Sequence, residues 1–209
     1  TPYMIYTTTN KGLFTMDKIR QSLKTTYNYS DYELELVKYT LLSIASEFSK
    51  ILLLYIFYII IGKALSFTVF ILLLSLIRFN SGGFHCKHYT TCLLLTFVIS
   101  YLAVVILPQL ITPDILFIQF FTIVCIIINY YIGPIVSPLR PSPNSVLLKH
   151  CQNNSFLIIF AFFIIVSIFN SHSIIYPYLI IGFWTIILHT CQMMFAKILI
   201  IKGGLKNVS

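Results

Sequence analysis

The feature that most constrains this chain is a succession of apolar runs too long and too numerous for a water-soluble core. They are Leu41 to Gly62, Ala64 to Ile77, Thr91 to Thr112, Ile115 to Ile132, Phe156 to Phe169 and Ile174 to Cys191. A helix that crosses a bilayer needs about 20 predominantly apolar residues. Of the 209 residues, 58% are apolar and 10% are charged, against roughly 25% charged in a soluble domain. Lipid must therefore be the solvent for most of the chain. The runs predict an all-α polytopic integral membrane protein with six transmembrane helices, preceded by an interfacial amphipathic N-terminal helix. Intrinsic disorder, collagen and a disulfide scaffold are excluded.

Charge fixes the topology expected of those runs. Ala64 to Ile77 is short, so Ile51 to Ile77 could instead be one long helix with Lys63 in its middle. With six spans and cytoplasmic termini, 13 of the 14 Lys/Arg lie inside and only Lys63 outside. Merging the two segments destroys that asymmetry. Positive charge favours the cytoplasmic side, so six spans are expected, with both termini and the loop between Arg78 and Tyr89 in the cytoplasm. The net charge of +8 is topological on this reading. No stretch interleaves bases with exposed aromatics as a nucleic-acid groove would, so no nucleic-acid partner is expected.

Residues 1–15 lack periodicity and an apolar signal region, and are read as an upstream extension or cloning remnant before Met16. Residues 16–209 are expected to form one membrane-embedded domain. Ser30-Asp31-Tyr32-Glu33 reads as a capping box. Behind it Leu34, Val37, Leu41, Ile44, Ala45 and Phe48 share a helical stripe, as in a helix lying in the interface. Gly133 to Asn154, with four prolines, is expected to be an irregular loop.

Chemistry concentrates in the loop from Arg78 to Cys92. Its fifteen residues hold two of five histidines, two of five cysteines and two of eight glycines. Paired carboxylates are missing there, as are a phosphate-binding turn and an HExxH motif. A thiol and an imidazole at a membrane face suit nucleophilic catalysis. On one straight helix His85 and Cys92 would stand about 10.5 Å apart, beyond hydrogen-bond reach. The chain must bend between them, with a helix starting near Thr90 or Thr91 as cap. Cys92 then falls in the first turn, where the helix dipole favours a thiolate. Gly82-Gly83 permit the reversal that folds His85 back. On the bland reading, the two glycines are only a flexible turn.

Arg78, Ser81-Gly82-Gly83, His85 and Cys92 together resemble the signature of AgrB, the membrane peptidase family of Gram-positive peptide quorum sensing. The seven-residue spacing, the chain length after Met16 and the proline-containing loop after the fourth span are similar too. The resemblance implies a cysteine endopeptidase that removes the C-terminal tail of an AgrD-type propeptide through a thioester, leading to a cyclic thiolactone or lactone. It implies Cys92 as nucleophile and His85 as base, with no cofactor and no metal. Arg78, Gly82 and Gly83 would bind substrate or support the oxyanion. Homodimerisation is compatible with the resemblance alone. The chain departs from the family in the loop after the fourth span, where only Arg140 and Lys149 stand among prolines.

Other readings compete. Cys86 is a second possible nucleophile and His88 a second possible base, and His85, Cys86, His88 and Cys92 are all acceptable zinc ligands. Arg78 alternatively snorkels at the interface. Cys125, Cys151 and Cys191 read as small apolar fillers, and His172 and His189 as structural interfacial residues. The function from another class is a small transporter or peptide exporter. It would place ionisable groups near the midplane, where this chain has almost none.

Overall fold

A computed structural model describes residues 30–82, 88–135, 144–169 and 174–201. These residues are helical throughout, apart from short connections. The chain divides into two units, Thr1–Lys50 and Ile51–Ser209. Six helices follow in order. They are α1 (Asp31–Ile60), α2 (Ala64–Ser81), α3 (Tyr89–Leu110), α4 (Ile115–Ile132), α5 (Ser145–Phe169) and α6 (Tyr176–Ile201). Among the described residues, the five from α2 to α6 are long and apolar enough to cross a membrane.

In the first unit the capping box forms as its sequence requires. The Ser30 amide donates to Glu33 Oε2 at 2.8 Å, and the Glu33 amide donates to Ser30 Oγ at 3.3 Å. Two orphan amides of the helix start are thereby satisfied. Further along, Lys50 Nζ pairs with Glu47 Oε1 at 2.6 Å. Leu41, Ile44 and Phe48, three members of the apolar stripe, are exposed.

The second unit opens with a sharp stop. Gly62 has φ +69°, its amide bonds Ile59 O, and the Lys63 amide bonds Tyr58 O. These are the two hydrogen bonds of a Schellman motif, with glycine in the left-handed position. The helix therefore breaks where the charge argument needs it to, and Ile51 to Ile77 is not one helix. Across the break Tyr58 stacks on Phe67 with ring centroids 4.4 Å apart, and Tyr55 Oη lies 3.2 Å from Thr68 Oγ1. Tyr58 Oη also donates to Ser100 Oγ of α3 at 3.0 Å.

Helix α2 exceeds the expected segment, ending at Ser81 after 18 residues, about 27 Å of helix. In α3 the ladder slips to π-helical bonding over Leu102–Ile106. Pro108, two residues further on, lacks the amide that would bond Val104 O, and the register change absorbs that defect. Asp114 caps α4 by accepting the Phe117 amide at 3.0 Å. The expected irregular loop from Gly133 to Asn154 is corrected: α5 begins at Ser145. Asn144 Oδ1 accepts the Val146 amide at 3.3 Å, and polar Lys149, His150, Gln152 and Asn153 lie on helix. The hydrophilic break Asn170 to Ser173 lies outside the described residues.

Helix α6 is the most enclosed element. Leu179 to Ile186 are buried without interruption, so this stretch of α6 is covered all round rather than on one stripe. The core it joins includes Phe67, Phe70, Ile77, Ile118, Ile159 and Phe183.

Candidate functional site

The loop singled out by its sequence leaves from the end of α2 and returns at the start of α3. Its first anchor is the helix end itself. The Gly82 amide donates to Arg78 O at 2.9 Å, and Gly82 takes φ +72°, ψ −147°. That is left-handed territory which side chains with a Cβ avoid. Gly82 pairs in a parallel bridge with Ile135, whose amide donates to Ser81 O at 2.9 Å. A Cβ built on Gly82 would collide with Ile135 O. Glycine is required here twice over, by torsion and by space.

The returning end is α3. His88 is the residue before the helix, in extended conformation, exposed, and without a side-chain cap bond. The expected threonine cap is thus corrected. Thr90 and Thr91 already lie inside the helix. Cys92 stands in the first turn, as its spacing predicted. Its amide donates to His88 O at 3.1 Å, its carbonyl accepts Thr96 Oγ1 at 2.9 Å, and it is 5% exposed.

Of the sequence-derived candidates, Arg78 is half-buried in the last turn of α2, with Gly82 at its end. Gly83, His85 and the alternative nucleophile Cys86 lie outside the described residues. Among the described residues no three His, Cys, Asp or Glu side chains gather as a metal site would require. Cys125 fills buried space, whereas Cys151 is half-buried and Cys191 exposed, which corrects the filler reading of those two. His189 is buried within the protein, 1% exposed.

Sequence reasoning missed the polar groups at the ends of α2 and α4. His189 Nε2 is 2.8 Å from Ser81 Oγ. Asn129 Nδ2 donates to Thr190 Oγ1 at 2.7 Å. The backbone carbonyl of Asn129 accepts the amide of Gly133 at 3.1 Å, and Gly133 ends α4 with φ +69°. Nearby, Ile135 packs with Met193 and Ala196 of α6. A polar side chain recurring within an apolar span was the available signal, but nothing in the sequence pairs residues 108 positions apart.

Comparison with known proteins bears on this arrangement. A curated protein of Clostridium beijerinckii described as AgrB-like is 32% identical over 116 residues, which cover 54% of this chain and 57% of that relative. The match therefore spans little more than half of that relative's length. No solved structure matches significantly. The family profile described as accessory gene regulator B matches residues 16–195, a stretch that contains the whole loop and all six helices except the last residues of α6. The chain belongs to the AgrB family.

Proposed function

We propose that this protein is a membrane cysteine endopeptidase that removes the C-terminal tail of an AgrD-type propeptide at the cytoplasmic face. The observation that carries the reading is Cys92, a buried thiol in the first turn of α3, in a chain of the AgrB family. Cys92 is the nucleophile and His85 the base. Arg78, Gly82 and Gly83 position substrate or support the oxyanion. The apolar second half of α1 completes a sixth span, the stripe before it lies in the interface, and both termini are cytoplasmic.

In the first step His85 takes the thiol proton and the Cys92 sulfur attacks the scissile carbonyl. The tetrahedral intermediate collapses as the C–N bond breaks, and the imidazolium protonates the departing amine of the tail. The N-terminal portion stays on Cys92 as a thioester. A thiol or hydroxyl of that portion then attacks the same carbonyl, closing the ring and returning the proton and the free thiol to the enzyme. Atoms and protons balance without a cofactor. Burial of Cys92 favours ring closure over hydrolysis, because a shielded thioester meets its own chain before it meets water.

The test is co-expression with the small reading frame adjacent in the genome, read as a gel shift of the propeptide. Cys92→Ala should abolish cleavage. His85→Ala should slow it by roughly 100- to 10,000-fold, the usual worth of a positioned base. Acid-quenched wild type should carry a thioester-linked peptide. Cleavage by Cys92→Ala, or its loss on adding a zinc chelator, would discard the cysteine mechanism.

A further inference from the structure

Two neighbouring residues of α6 tie down the ends of two different helices. His189 Nε2 meets Ser81 Oγ, on the last residue of α2, at 2.8 Å. Thr190 Oγ1 holds Asn129, near the end of α4, at 2.7 Å. Just beyond those two ends the backbones join at the bridge between Gly82 and Ile135. The contacts close a ring that runs from α6 to α2, across the bridge to α4, and back to α6. All four side chains in it are buried, with His189 1% exposed, Ser81 3%, Thr190 3% and Asn129 7%.

The Ser81 hydroxyl stands 2.9 Å from Ile77 O and 2.8 Å from His189 Nε2. In either tautomer the other ring nitrogen, Nδ1, finds no partner among the described residues. A buried polar atom without a partner is costly, and an apolar ring in the same place would avoid that cost. Stability alone does not account for a histidine here. Ionisable residues inside a membrane protein are usually kept for function.

We propose that His189 is a positioning residue. Acting through Ser81, it fixes the exit of α2 and so the origin from which the chain runs to His85, three residues after Gly82. It touches no reacting atom. The link to catalysis rests on the peptidase reading above; the clamp itself does not.

The experiment uses full-length protein in detergent, with the synthetic propeptide encoded by the adjacent reading frame. His189→Phe should lower kcat by about 10- to 100-fold, the scale of a small misplacement of a reacting group, while leaving KM nearly unchanged. His189→Gln carries an amide nitrogen at the same reach and should restore most of the rate. Ser81→Ala should match His189→Phe, and the double variant should lose no more than either, because both remove one contact. Amide hydrogen exchange across residues 78–82 should accelerate in His189→Phe and Ser81→Ala but not in His189→Gln. Unchanged exchange in either variant, unchanged kcat, or losses that add in the double variant would overturn the proposal. Accelerated exchange in a protein whose wild type shows no Cys92-dependent cleavage would support the clamp and overturn the peptidase reading instead. If His189→Phe fails to accumulate in the membrane, Ser81→Ala carries the same comparison.

Discussion

A side chain at position 82 would have no room. Gly82 and Gly133 share nearly the same backbone, φ +72° and +69°, with ψ close to extended in both. Forcing a residue with a Cβ into such a region costs of order 1–3 kcal/mol. The surroundings differ: a Cβ on Gly133 meets nothing within 4 Å, whereas one on Gly82 collides with Ile135 O. Gly133→Ala should therefore lower the thermal midpoint in detergent by the torsional strain alone. Gly82→Ala should lower it further and lose propeptide cleavage by about 100-fold as the α2 end shifts. Equal midpoints with cleavage retained in Gly82→Ala would show that the bridge does not hold the loop. Sequence marked Gly82 as the place of a reversal, since two adjacent glycines before a histidine have few other uses. It could not name Ile135 as the obstacle, because that contact exists only once α2 and α4 end side by side.

The elements were legible where local hydrogen bonding decides and illegible where tertiary ordering does. Ser30 and Glu33 announce their helix start, whereas the break between α1 and α2 was read from charge, and Gly62 is the residue that makes it. The start of α5 was missed because Lys149, His150 and Gln152 break the apolar pattern, although Asn144 offered a cap. Gln152 Nε2 donates to Tyr130 O at 2.6 Å, a contact across helices that no local pattern contains. The π-helical turn before Pro108 was likewise unread, since a proline shows where a ladder fails and not how the register recovers. The capping box also makes the start of α1 sensitive to acid. Hydrogen bonds from the Ser30 amide and hydroxyl hold the Glu33 carboxyl below its ordinary pKa of 4.5, because they favour the ionised form. A carboxylate depressed in the folded state stabilises above the unfolded value and loses that contribution as pH falls through the folded one. The opening equilibrium of residues 31–36, read from hydrogen exchange corrected for the pH dependence of the intrinsic exchange rate, should be flat at neutral pH and rise below pH 4.5. Glu33→Gln should show no such rise. A wild-type profile identical to that of Glu33→Gln would remove the carboxylate from the cap.

At the scale of the molecule, hydropathy could not rank the helices, because lipid-facing and buried positions are equally apolar. Nothing in α6 announced it as the covered element on which α2 and α4 lean. Charge carried more information than hydropathy did. Within the second unit, cations gather where helix ends meet. Arg78 stands in the last turn of α2, Lys197 Nζ reaches Ile132 O at the end of α4 at 3.4 Å, and Lys149 sits near the α5 start that Gln152 ties to α4. At the opposite end, Tyr176 Oη donates to Pro113 O, joining the α6 start to the turn that holds Asp114. Lys63 is exposed in the turn before α2, at the end of that helix away from Arg78. Positive charge on one side of the bundle is what cytoplasmic orientation requires. Single cysteines are therefore expected to divide cleanly in a background without the native accessible thiols. Asn144→Cys, exposed before α5, should react with a membrane-impermeant maleimide only after the cytoplasmic face is opened. Lys63→Cys should react in intact cells. A second, independent reporter fused after Ser209 should read cytoplasmic, as six spans require. Five spans with the Lys63 turn still outside would keep the C-terminus cytoplasmic but leave α1 outside or in the interface. A tag placed before Met16 decides between them. Accessible in intact cells, it would remove the first span. Protected, it would make α1 cross the bilayer and set the Cys92 loop on the same side as the newly made propeptide.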